Sequence, residues 1–108
     1  MDLTKKHCVP CEGGIPALTT VEENKYKKEV AFWDLLMEDQ HKLKKEFPFK
    51  NFKEAMIFVN CIANIAEQEG HHPDIYIFYN KVNIELYTHA VKGLSESDFI
   101  MAAKIDVL

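Results

Sequence analysis

Apolar positions recur at intervals of three and four through the middle of the chain, at Phe52, Ala55, Met56, Val59, Ile62, Ala63 and Ala66. That spacing predicts a long amphipathic helix. Asn51, with Glu54 three positions on, supplies its start signal, and Gly70 stands where a left-handed C-terminal cap belongs. Beyond it the period changes to two. Ile75 to Asn80 and Val82 to His89 read as a hairpin, with Val82, Ile84, Leu86 and Thr88 on one face and Asn83, Glu85, Tyr87 and His89 on the other. Upstream, the alternation Ala31, Trp33, Leu35, Met37 suggests a strand. A second follows through Leu43, Lys45 and Phe47, with Asp39-Gln40 as the turn. Thr19 and Thr20, followed three residues later by Glu22 and Glu23, cap a short first helix that runs into Lys27 and Lys28. Ser95 with Asp98 opens a last helix. Leu94 and Phe99 are spaced as a hydrophobic staple there, and Phe99, Ala102 and Ala103 form its core face. The order α-β-β-α-β-β-α implies an α+β fold, a four-stranded antiparallel sheet with three helices packed on one face.

Residues 1–18 show no apolar periodicity and contain two prolines and the Gly13-Gly14 pair, so they read as an N-terminal arm on a single domain spanning 19–108. A chain of 108 residues has room for one core. Its formal net charge of -4 argues against direct nucleic-acid binding, which needs clustered Lys and Arg. No apolar run approaches the roughly 20 residues that span a bilayer, and the first residues lack a signal-peptide pattern, so a cytoplasmic location is expected. Three cysteines make no disulfide framework. Cys8-Val9-Pro10-Cys11 has a metal-like spacing, but beyond His7 nothing nearby completes a four-ligand zinc set, and no βαβ pattern frames a redox pair. Two reduced thiols in the arm is the favoured reading.

The candidate chemistry is imidazole. Gly70-His71-His72-Pro73 and Thr88-His89 hold three of the five histidines. Pro73 keeps His72 out of the α region, so the pair occupies a stiff helix-to-strand connection. Near-neutral donors and acceptors placed around one small ligand are what a proton-shuttling site needs. A competing arrangement has His71, His89 and Asp98 binding one divalent ion. Duller roles are open as well: Asp98 as a helix cap, Glu67 as a solvated helix residue, and Tyr76, Phe78 and Tyr79 as sheet packing or a subunit contact rather than a stacking platform. His7 and His41 carry no readable signal.

Glu67, His71-His72-Pro73, Tyr79-Asn80-Lys81-Val82, Thr88-His89 and Gly93-Leu94-Ser95 with Asp98 together resemble the pterin-4a-carbinolamine dehydratase family, also called 4a-hydroxytetrahydrobiopterin dehydratases. The resemblance extends through Phe47 to Phe52, and the His7-to-Gly14 arm looks like that of bacterial members. It implies loss of water from a 4a-hydroxytetrahydropterin to give a quinonoid dihydropterin, supporting tetrahydropterin recycling after aromatic amino acid hydroxylation. It further implies His71 and His89 as the acid-base pair, with His72 holding the pterin. Gly70, Pro73, Tyr87, Thr88 and Ala90 would bind substrate, and Asp98 would orient His89 or the ligand. No metal or other cofactor is implied. An aromatic amino acid hydroxylase is the implied partner and a homodimer or homotetramer the implied assembly. Animal relatives also act as dimerisation cofactors for a transcription factor, which makes a non-catalytic interaction module the alternative. Two departures stand out: Gly70 replaces the acidic residue usual in animal members, and Ala31-Phe32 precede Trp33 where many relatives have a Pro-Gly turn.

Overall fold

A computed structural model describes residues 1–9 and 16–108. Cys11 and the Gly13-Gly14 pair lie outside the described residues. The chain forms helix α1 (Thr20–Lys27), strands β1 (Asp34–Leu36) and β2 (Lys42–Pro48), helix α2 (Phe52–Glu69), strands β3 (Asp74–Phe78) and β4 (Lys81–Leu86), and helix α3 (Glu96–Asp106). All strand pairs are antiparallel, in the order β1-β2-β4-β3. The expected α+β sheet with three helices is therefore present. Leu43 faces Leu86 and Phe47 faces Val82, and Leu43, Val82, Ile84 and Leu86 are completely buried beneath the helices.

The capping signals act as read. The Thr19 side chain accepts from the Glu22 N–H while the Glu22 carboxylate accepts from the Thr19 N–H. The Asn51 side chain accepts from the Glu54 N–H at 2.9 Å. These contacts satisfy donors that have no partner inside the first helical turn. Leu94 and Phe99 are both fully buried around the start of α3. That helix buries far more than the expected Phe99, Ala102 and Ala103 face: Ser97 to Ala103 and Ile105 are all buried. Tyr26 of α1 stacks on Phe99 with ring centroids 5.4 Å apart, while the sheet and α2 close the remaining sides.

Two segments depart from the sequence reading. The first strand does not begin at Ala31. A 3-10 turn over Lys28–Val30 carries the chain into the core, so Val30 and Trp33 are buried ahead of the strand, and pairing starts only at Asp34. Trp33 donates through Nε1 to Asp106 at 3.0 Å. The last strand ends at Leu86, not at His89. Thr88 makes an isolated bridge to Gly93, its N–H donating to the Gly93 carbonyl at 2.7 Å, and His89–Val91 form a 3-10 turn. The arm, where described, lies on the domain. Leu3 is 2 % exposed, a 3-10 turn runs over Leu3–Lys5, and Lys104 of α3 donates to the Thr4 carbonyl at 3.2 Å.

Candidate active site

Helix α2 delivers the histidine pair. Gly70 ends it at φ 65° and ψ 27°, a left-handed conformation that glycine adopts without Cβ strain, and the N–H groups of Gly70 and His71 both donate to the Ala66 carbonyl. This sharp stop aims His71 at the start of α3. There its Nε2 lies 2.7 Å from Oδ1 of Asp98, whose side chain has no exposed surface. The second carboxylate oxygen accepts from the Thr88 hydroxyl at 2.7 Å and from the Ser95 N–H at 2.9 Å. Thr88 and Ser95 also bond to each other through their hydroxyls at 2.8 Å. The network orients the His71 ring through Nε2 and leaves Nδ1 as the ring nitrogen that can exchange a proton with a ligand.

His72 and His89 are held more loosely. Nε2 of His72 lies 2.6 Å from the Glu67 carboxylate, five residues back on α2, with both groups well exposed to water. Such a pair orients a ring more than it stabilises the fold. His89 leaves β4 on the 3-10 turn, its ring centroid 4.2 Å from that of Tyr87, over which Lys42 sits at 5.0 Å.

These groups surround one cavity of about 370 Å³. Its walls bring together the predicted Gly70, His71, His72, Tyr87, Thr88, His89 and Ala90. Pro73 and Asp98 do not line it. Pro73 acts on the backbone. Asp98 is too deeply buried to meet a ligand and braces His71 rather than the expected His89, because α3 begins directly behind the end of α2. Tyr76, Phe78 and Tyr79 stand exposed on β3 and its turn, outside this cavity. A larger concavity of about 580 Å³ follows the β1–β2 connection from Leu35 to Lys42 but contains no histidine. Among the described residues, no three His, Cys, Asp or Glu side chains group to hold a metal ion, and both Asp98 oxygens are already engaged by His71, Thr88 and Ser95.

Sequence reasoning missed two contributors. Val9 of the arm forms part of the cavity wall, and Glu69, the last residue of α2, holds the arm by accepting from the Cys8 N–H at 2.8 Å. That bond is the main cause holding the Glu69 carboxyl below its usual range. Burial pushes the Cys8 thiol up to about 11, so it stays protonated as a donor to the Ser97 carbonyl, with Sγ 3.5 Å from that oxygen. His7 and His41, silent in sequence, each pair with a shielded carboxylate, Glu69 at 3.1 Å and Glu23 at 2.8 Å.

The four-stranded antiparallel sheet with its three helices is the fold of a family of hydro-lyases. The chain belongs to the pterin 4 alpha carbinolamine dehydratase family, whose model matches residues 16–108. It is 48 % identical over 107 residues to a protein of Nitrosospira multiformis, covering 99 % of this chain and 92 % of that one. It is 42 % identical over 107 residues to one of Rubrobacter xylanophilus, covering 99 % and 98 %. Both relatives are named provisionally as pterin-4-alpha-carbinolamine dehydratases. A crystal structure described as a transcriptional coactivator/pterin dehydratase from Brucella melitensis superposes with a TM-score of 0.79 at 32 % identity, over 84 % of this chain and 96 % of that one.

Proposed function

We propose that this chain dehydrates a 4a-hydroxytetrahydropterin to the quinonoid dihydropterin by histidine acid-base catalysis. The observation that carries this reading is the convergence of His71, His72 and His89 on one cavity, with the buried Asp98 bracing the first of them. In the reaction a base takes the proton from ring nitrogen N5, the N5 electron pair forms the double bond to C4a, the C4a–O bond breaks, and an acid protonates the departing hydroxyl to water. His71 and His89 divide the base and acid roles, and His72, steadied by Glu67, holds and orients the ring. Gly70, Tyr87, Thr88 and Ala90 contribute the remaining contacts to the substrate. A positioned acid or base of this kind contributes roughly 10²- to 10⁴-fold in rate.

Imidazoles need no further cofactor for this step. On this reading the enzyme acts in the cytoplasm, downstream of an aromatic amino acid hydroxylase, and supports tetrahydropterin recycling by supplying the quinonoid dihydropterin for reduction. Self-association as a homodimer or homotetramer is supported by β3, a sheet-edge strand exposing Tyr76, Ile77 and Phe78 beside the exposed Tyr79. Stopped-flow mixing with freshly generated 4a-hydroxytetrahydropterin tests the function. Enzyme-dependent acceleration that falls at least tenfold in His71→Ala is the expected result. A wild-type rate in that variant overturns the assignment.

A further inference from the structure

Val9 is 67 % exposed and apolar, yet it lines a cavity whose other named side chains are mostly polar or aromatic. It is also firmly placed. The Glu69 carboxylate, 7 % exposed, accepts from the Cys8 N–H at 2.8 Å and meets His7 Nδ1 at 3.1 Å, with Lys104 3.8 Å away. The arm therefore both covers this carboxylate and supplies its hydrogen-bond donor, which makes it a structural part of the site and not a loose tail. From α3, the Ser97 hydroxyl donates to the Val9 carbonyl at 3.4 Å and the Ser97 carbonyl accepts from the Cys8 thiol. The two anchors sit beside the acid-base machinery: Glu69 is two residues before His71, and Ser97 directly precedes Asp98. The same helix ends therefore fix both the imidazole and the arm.

We propose that Val9, held in place through His7 and Cys8, is a wall of the catalytic cavity and a substrate-binding residue, its isopropyl group covering the flat ring of a reduced pterin. This rests on the dehydratase reading above. Covering one ring face removes apolar surface from water in the substrate and in the reacting complex alike, which strengthens binding without changing the chemical step.

The experiment compares wild type, Val9→Ala, Glu69→Ala and Glu69→Gln in stopped-flow dehydration and in calorimetric binding of a stable 7,8-dihydropterin. Val9→Ala should raise KM and the dihydropterin Kd about fivefold while kcat stays within about twofold. Glu69→Ala should do the same by releasing the arm. Glu69→Gln should remain near wild type, because its amide oxygen still accepts from the Cys8 N–H. Wild-type KM and Kd in both Val9→Ala and Glu69→Ala overturn the inference while leaving the dehydratase reading intact. A wild-type protein that binds dihydropterin but turns nothing over overturns the dehydratase reading, and the Kd values then decide the role of the arm alone.

Discussion

Nε2 of His71 and Oδ1 of Asp98 are 2.7 Å apart, and the carboxylate is wholly enclosed. Asp98 thus joins three elements at once: the end of α2 through His71, the end of the hairpin through Thr88, and the start of α3 through Ser95. Asp98→Ala should cost about 3 kcal/mol of stability, since it strands the buried Thr88 hydroxyl and the half-buried donors of His71 and Ser95, and chemical denaturation measures it. Asp98→Asn keeps the shape but offers an amide where His71 meets an anion. It should lower kcat at least about tenfold with a much smaller loss in denaturation midpoint.

Replacing each histidine in turn should separate their roles. His71→Ala and His89→Ala should each reduce kcat at least about tenfold. His72→Ala, which removes an exposed ring paired only with Glu67, should act mainly on KM. Steady-state analysis of the three variants checks the division, and equal kcat losses in all three would remove it.

Gly70→Ala isolates backbone strain. No heavy atom lies within 4 Å of an added Cβ, so the cost comes only from the left-handed φ of 65°. About 1 kcal/mol is expected, a fall of about 4–8 °C in Tm for a domain of this size by calorimetry.

The arm should respond to acid. The Cys8 N–H, followed by His7, holds the Glu69 carboxyl below its ordinary value of 4.5. A folded value below the unfolded one gives stability that is complete above about pH 4.5 and is lost as pH falls through the folded value. Titrating the Cys8 amide resonance by NMR should show a midpoint under 4.5. Glu69→Gln should remove the transition, and a midpoint at the ordinary value in wild type would contradict the contact.

Much of this molecule could be read from local pattern. The caps at Thr19, Asn51 and Ser95 and the left-handed Gly70 are written in residues adjacent to the groups they satisfy, and helix α2 declares itself by period. The two misread strand ends share one cause, namely that apolar alternation cannot distinguish a strand from a turn that carries a single large side chain inward. Trp33 is buried from such a turn, and Thr88 points into the core as alternation predicts although pairing has already ended at Leu86. The seven wall residues from Gly70 to His72 and from Tyr87 to Ala90 were legible because two short stretches supply them. The partnership of Asp98 with His71 spans 27 positions and that of Cys8 with Glu69 spans 61, and no local signal encodes either.

Helix α3 supplies the brace for His71 from a segment that follows all four strands in the chain. During synthesis, the four strands and both earlier helices leave the ribosome before Asp98 does. A nascent chain halted at Gly93 would carry His71, His72 and His89 yet leave the first of them unanchored, because its partner Asp98 has still to be added.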